Sequence, residues 1–491
     1  MKHKKSNFKI IKKNISYISA EVKASFWFLI CSFLQRGISV ITTPIFTRLM
    51  STQEYGQYSV FQSWMDIMTI FVSLKLYAGV FLQGIVKQKD KNRFASAMQG
   101  LSFMLFIIWG IVIFGFHNFF TEVTSLTMVQ LLAMLSLIWT TGVFSYWSVE
   151  QRTANNYKPL IIITLLTSVL KPVIGIGLVM KCVDKVTARI LGLAVVELVF
   201  YLGLFIKDMR KGNCFYDKHI WKYALSFNIP LLPHYLSMAV LNSSDRIMIK
   251  YYQGESKAGI YSLAYSIALI MTLFNSALLQ TVEPWLYKKI NANEQDDIPK
   301  VGYITLILIA FVNIILIALA PEAVKIFAPS EYREAIWIIP SVAMSVFFMF
   351  AYSLFAAFEF YFEKTRYITM ATLIGAVANI ILNMIFIPIF GYYAAGYTTL
   401  VCYILFAVMH YCFMKKICHK NFANKKLFDT QIIFRISFVF IFIGMFFLVS
   451  YLYISVRYGL IFFFSTVIVI KRNKIKEILI KLINIKEVPN E

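Results

Sequence analysis

A cation inside an apolar run is the most telling residue type in this chain. A charge at bilayer depth costs between about 2.5 and over 10 kcal/mol, so it normally faces water or a partner. Arg36 and Lys171 lie in such runs, while Arg48 stands just past the end of the run that holds Arg36, and Arg246 near the end of another. Arginine offers planar, bidentate donors to phosphate oxygens, and lysine a point charge. These four are the candidates for holding an anionic group. Polar residues gather on helical faces beside them. At about 100° per residue, Ser25, Ser32, Arg36, Ser39 and Thr43 fall within a sector of about 60°. Ser59, Gln62, Asp66, Thr69, Ser73 and Tyr77 form a second stripe, and Ser262, Tyr265, Ser266, Ser276, Gln280 and Glu283 a third. Ser32, Ser39, Tyr265 and Gln280 therefore join the substrate-facing set. The titratable groups within or beside the apolar runs that could exchange a proton or a cation are Asp66, Glu197, His234, Asp245 and Glu283. His234 has the unperturbed pKa nearest neutrality, and the choice between proton and sodium stays open. Each assignment has a plainer rival. Ser and Thr in membrane helices often bond their own backbone, Lys75 and Arg435 can snorkel to an interface, and Arg36 or Lys171 can be paired with Glu197 or another buried carboxylate.

Composition defines the elements that must carry these residues. Of 491 residues, 59% are apolar and 15% charged, against about 45 to 50% and about 25% in soluble domains. Apolar runs of about 20 residues recur from end to end, which predicts an all-α polytopic membrane protein and excludes a soluble, disordered, collagenous or disulfide-built chain. Spans are expected at about 25–46, 58–82, 95–116, 126–148, 159–180, 188–206, 224–249, 259–285, 301–320, 335–358, 367–390, 394–414, 431–453 and 456–470, about 14 transmembrane helices. Pro230 and Pro233 should break the lower turns of the seventh. With the N-terminus inside, 34 of the 48 Lys and Arg fall on inner segments and 10 on outer ones. That bias puts both termini in the cytoplasm and makes the net charge of +23 topogenic, with no nucleic-acid partner. The basic N-terminal segment lacks a signal cleavage site and reads as a retained arm. Six cysteines show no metal spacing, and the outer loops are short. No metal, cofactor, catalytic group or enzymatic activity is expected.

The segment FTRLMSTQEYGQYSVFQSW from Phe46 aligns with SDRIMIKYYQGESKAGIYSLAYS from Ser244. Arg48 falls on Arg246, and after a five-residue loop difference Tyr58-Ser59 falls on Tyr261-Ser262. Asn156-Tyr157 and Arg366-Tyr367 give a fainter second match. Helices one to six and seven to twelve thus read as two parallel six-helix repeats around a central cavity, with two extra C-terminal helices. The expected organisation is a basic arm (1–24), a bundle (25–206), a linker (207–223), a second bundle (224–414), a loop (415–430), helices thirteen and fourteen (431–470) and a basic tail (471–491).

These outer-loop patterns, Pro44 in the first helix and the turn IPIFGYYAAGY from Ile387 resemble the bacterial polysaccharide flippases of the multidrug/oligosaccharidyl-lipid/polysaccharide exporter superfamily. The resemblance covers residues 20 to about 415. It implies translocation of undecaprenyl-diphosphate-linked oligosaccharide repeat units (O-antigen or capsule) across the bacterial inner membrane by alternating access. Arg36 is the nearest match to the basic cavity residues of the family. Implied partners are the lipid-linked oligosaccharide, membrane lipid, a proton or sodium counter-ion, and the polysaccharide polymerase and glycosyltransferases. A multidrug/cation antiporter and a peptidoglycan-precursor flippase share the fold and remain rivals. A membrane-embedded polysaccharide polymerase is the rival of another class, disfavoured by the short outer loops.

Overall fold

The computed structural model describes residues 20–422, 427–470 and 472. The expected basic arm and tail therefore lie largely outside the described residues, as do residues 423–426 of the loop before the thirteenth span. Nearly everything described is helix, and no strand occurs among the described residues. Among the described residues, eleven helices are long and apolar enough to cross a membrane. They coincide with expected spans three to thirteen. The other three expected positions are also helical, as Ala20–Leu49, Thr52–Ser73 and Ile454–Ile470. The chain is a multi-pass membrane protein.

The chain divides into two compact units, the first taking in the described residues up to Met50 with Trp64–Leu232, the second Ser51–Ser63 with the described residues from Pro233. In the first come α1 (Ala20–Leu49), α2 (Thr52–Ser73) from Trp64 onward, its earlier turns belonging to the second unit, then α3 (Val80–Lys87), α4 (Lys91–Gly115), α5 (His117–Thr124), α6 (Met128–Thr153), α7 (Tyr157–Lys181), α8 (Lys185–Gly212) and α9 (Lys218–Asn228). Side-chain caps set the starts. Asp90 accepts from the Arg93 amide, Asp184 from Thr187, and Thr127 and Gln130 form a reciprocal capping box. The expected span 58–82 is not one helix. Leu74 and Lys75 adopt left-handed φ of 46° and 50°, and the chain resumes at α3. The Ser73 hydroxyl accepts from the Lys75 amide at 3.1 Å, a local bond that competes with the helical ladder.

In the second unit come α10 (Leu232–Gln253), α11 (Glu255–Ala268), α12 (Thr272–Asn291), α13 (Ile298–Ala318), α14 (Ala320–Phe327), α15 (Ile339–Tyr361), α16 (Thr365–Phe390), α17 (Tyr393–Asn421), α18 (Thr430–Ser450) and α19 (Ile454–Ile470). Pro230 interrupts the seventh span as expected, through a 3₁₀ turn at Ile229–Leu231 between α9 and α10. A second such turn, Leu269–Met271, separates α11 from α12. The apolar helices differ in what covers them. The most apolar stretch of α15 is 83% buried against α11, α12, α13, α17 and α18, whereas that of α18 is 17% buried. A helix apolar on every side is either a core helix or faces lipid. α15 is the first kind and α18 the second.

Candidate functional site

The second unit builds its polar centre from α10, α11, α16 and α17. Asp245 on α10 is 1% exposed. Its Oδ2 accepts from the Tyr261 hydroxyl at 2.7 Å and the Thr399 hydroxyl at 2.8 Å, and its Oδ1 from the Asn383 amide at 2.6 Å. Asn383 also donates to Asn379 Oδ1 at 3.2 Å, Ser244 donates to the same oxygen at 3.0 Å, and Thr398 donates to Asn383 Oδ1. The Asn379 amide nitrogen is buried without a hydrogen-bond partner. The positions follow from helical spacing. Asn379 and Asn383 are four apart on one face of α16, and Thr398 and Thr399 lie in the second turn of α17, where the chain has just reversed at Gly391 (φ 78°). A buried carboxylate met by two hydroxyls and an amide, all neutral, is a polar centre suited to hold a small cation. Of the five acidic and histidine candidates, Asp245 is the most enclosed. The sequence reading singled it out but missed Asn379, Asn383, Thr398 and Thr399. Two Asn at i and i+4 in an otherwise apolar span were the available signal.

The first unit holds a second centre. The Lys171 ammonium donates to Glu197 Oε1 at 2.6 Å, and Glu197 Oε2 accepts from the hydroxyls of Thr140 at 2.7 Å and Thr141 at 3.1 Å. The Lys171 Nζ also lies 5.6 Å from the Tyr201 ring centroid. Helices α7 and α8 are pinned by Gly175 and Gly192, since a Cβ on Gly192 would sit 2.6 Å from the Gly175 Cα. Lys171 is one turn before the first glycine and Glu197 just over one turn past the second, so an antiparallel pair brings them face to face. The two residues expected to serve different tasks are thus one ion pair. Its geometry corresponds to the plainer rival for Lys171, a partnered buried charge.

Arg48 and Arg246, matched by the internal repeat, make the same local bond. Each guanidinium donates to the carbonyl four residues earlier, Arg48 to Pro44 at 2.9 Å and Arg246 to Asn242 at 2.8 Å. The Arg246 guanidinium also lies over the Tyr265 ring, 4.4 Å from its centroid. Tyr265 is buried beneath that cation. The repeat reappears within the second unit, where the first turns of α2 cross those of α11. A Cβ on Gly56 would lie 1.8 Å from the Glu255 carbonyl oxygen, and one on Gly259 2.1 Å from that of Thr52. Gly56 and Gly259 are equivalent under the repeat, so the crossing is reciprocal. Thr52 and Ser256 hydroxyls are 2.7 Å apart, and Gln53 and Gln57 donate to Glu255 Oε2 at 3.2 and 2.6 Å.

Arg36 and Ser32 are on α1, and their side chains lie outside the described residues. The Ser39 hydroxyl turns back to the Gln35 carbonyl at 3.4 Å. Asp66 on α2 and Gln280 on α12 are exposed, and Glu283 is half-buried. His234 Nδ1 is 3.0 Å from the Thr372 hydroxyl. Most stripe hydroxyls bond their own helix, among them Ser59, Thr69, Ser73, Ser262, Ser266 and Ser276. Sequence reasoning also missed Glu359 and His410, 2.7 Å apart with side chains 0% and 2% exposed.

A family model described as polysaccharide biosynthesis protein matches residues 22–290. The chain belongs to that family. The matched stretch contains all four cationic candidates, Arg36, Arg48, Lys171 and Arg246, and all five titratable ones. One relative, the Lsg locus putative protein 1 of Haemophilus influenzae strain Rd, is 23% identical over 207 residues, which is 40% of this chain. The match spans half the length of that relative. Among solved structures, the chain is similar to the lipid II flippase MurJ in an inward closed conformation, with TM-score 0.67 and 15% identity, covering 91% of this chain and 99% of that one. It is also similar to the inward-facing conformation of a multidrug resistance MATE family transporter of the MOP superfamily, with TM-score 0.59 and 12% identity over 80% and 96% of the two chains. These likenesses establish the fold expected from the sequence.

Proposed function

We propose that this member of the polysaccharide-biosynthesis family is a flippase. It moves undecaprenyl-diphosphate-linked oligosaccharide repeat units, of O-antigen or capsule type, across the bacterial cytoplasmic membrane by alternating access, with both termini cytoplasmic. The observation that carries this reading is that the family match over residues 22–290 encloses every deep or span-end cation proposed to hold phosphate. The fold shared with a lipid II flippase supports movement of a lipid-linked cargo. Arg36, Arg48 and Arg246 are the residues proposed to meet diphosphate or acidic sugar. Lys171, being ion-paired, acts on cargo only if Glu197 releases it.

Alternating access needs two states with different contacts. The reciprocal crossing at Gly56 and Gly259 is one contact that a single state can hold closed. Coupling is assigned to Asp245, whose carboxylate can exchange its ring of neutral donors for a proton or a sodium ion. The similarity to a lipid II flippase also favours, as a second reading, a peptidoglycan precursor as cargo.

Deletion of the gene separates the two readings: a viable cell stripped of its surface polymer supports the first, and a lethal loss supports the second. Within the first, Arg36→Ala should abolish surface polysaccharide while the protein still reaches the membrane, and Arg36→Lys should retain part of it. Normal polymer in Arg36→Ala would remove that residue from the site.

A further inference from the structure

At one end of the second unit, α13 stops at Ala318, α14 follows, α15 begins at Ile339, and α18 turns into α19 between Ser450 and Ile454. Three span-length helices and one shorter apolar helix therefore begin or end in this region, and the length of their apolar runs makes it the end expected at a membrane surface. A cavity of about 700 Å³ opens there. Its lining includes three cations, Lys325, Arg333 and Arg457, and no carboxylate. Arg457 is structural. It is 3% exposed and donates to both Glu322 oxygens at 2.5 Å and to the Ala318 carbonyl at 3.2 Å. Lys325 and Arg333 are exposed, and no hydrogen bond or ion pair is described for either. The rest of the lining is mostly apolar and includes Leu452, in the turn after α18, and Ile454, which opens α19, both largely exposed.

We propose that this cavity is a binding site for the phosphodiester headgroup of an anionic phospholipid. Lys325 and Arg333 supply the charge that meets the phosphate, with Arg giving the planar donor pair and Lys the point charge. Leu452 and Ile454 receive the first carbons of the acyl chains. A free anion would use the two cations and leave the apolar wall bare. A zwitterionic lipid would use the wall but carry its own cation into a cavity already positive. Only an amphiphile with net negative charge satisfies both halves, its phosphate meeting the two cations and its chains the apolar residues. The site adds to the proposed transport function and does not depend on it.

The test uses the full chain purified in detergent and titrated with phosphatidylglycerol, phosphatidylcholine and soluble glycerol 3-phosphate, with bound molecules counted by native mass spectrometry. Phosphatidylglycerol should bind in preference to the other two. Lys325→Gln and Arg333→Gln should each weaken it about fivefold, and the double variant about 25-fold. Lys300→Gln, at the other end of α13, should leave it unchanged. Both altered side chains are exposed, so unfolding temperature should stay at the parent value, and if the double variant is not recovered each single variant carries the test. Parent-like phosphatidylglycerol binding in the variants overturns the proposal. So does equal binding of phosphatidylcholine, or displacement of phosphatidylglycerol by glycerol 3-phosphate, which would make the site one for free anions.

Discussion

Replacing Gly56 with alanine would place a methyl carbon 1.8 Å from the Glu255 carbonyl oxygen, 2.7 Å from its carbon and 2.9 Å from the Gly259 nitrogen. All three are backbone atoms of one helix, so no side chain can swing away to make room. Ordinary contact begins near 3.4 Å, and the two helices must therefore part by about 1.5 Å. Overpacking of this kind costs about 1 to 3 kcal/mol. Where a second state exists in which the crossing is already open, that cost lowers the ratio of crossed to parted molecules by about 5- to 150-fold. Thr52→Cys with Ser256→Cys, in a chain whose native cysteines are replaced, reports the crossing directly, because the two native hydroxyls are 2.7 Å apart. Disulfide formation should be rapid in that parent and slowed by at least about fivefold when Gly56→Ala is added. Gly259→Ala strikes the Thr52 carbonyl from the other side and should act in the same direction. Gly203→Ala, which meets nothing within 4 Å, should be silent. If Gly56→Ala cross-links at the parent rate and unfolds at the parent temperature, the crossing does not restrain the molecule and its proposed part in transport falls.

Lys171→Met should lower the unfolding temperature sharply, because it strands the Glu197 carboxylate among the Thr140 and Thr141 hydroxyls; breaking a buried pair costs about 3 to 5 kcal/mol. Lys171→Met with Glu197→Gln should recover most of that loss, and a double variant no more stable than the single one would show that the pair is not the cause. Asp245→Asn should remove any dependence of unfolding temperature and transport on sodium or pH in the range where the parent shows one, and persistence of that dependence assigns coupling elsewhere. At the membrane surface, the Lys257 ammonium at 2.6 Å and the Tyr392 hydroxyl hold the Glu334 carboxyl below the usual carboxylate range. Its stabilising effect is therefore full above about pH 4.3 and is lost as pH falls through the lower folded value. Glu334→Gln should flatten that acid-side loss in a pH series of thermal unfolding, and an unchanged slope would exclude the pair as its source.

The sequence by itself determined the class of molecule and the course of the chain. Hydrophobic runs have the length that a bilayer demands whatever they pack against, so spans three to thirteen were legible, and proline has no amide to donate, so the break at Pro230 was too. The repeat was legible because Arg48 and Arg246 stand at matching places, and both were found bonded to the carbonyl one turn back. The second span failed as a continuous helix because hydropathy does not register a local Ser73 to Lys75 bond or the left-handed turn that accompanies it. Tertiary structure alone decided which charges are partnered. Lys171 and Glu197 are 26 residues apart in sequence, and only the close approach of Gly175 to Gly192 sets their register. Asp245 draws its donors from α11, α16 and α17, up to 154 residues away. A helical wheel shows which residues share a face, but not what that face meets. The energy of a buried charge depends on the neighbours that meet it, and those neighbours come from other helices.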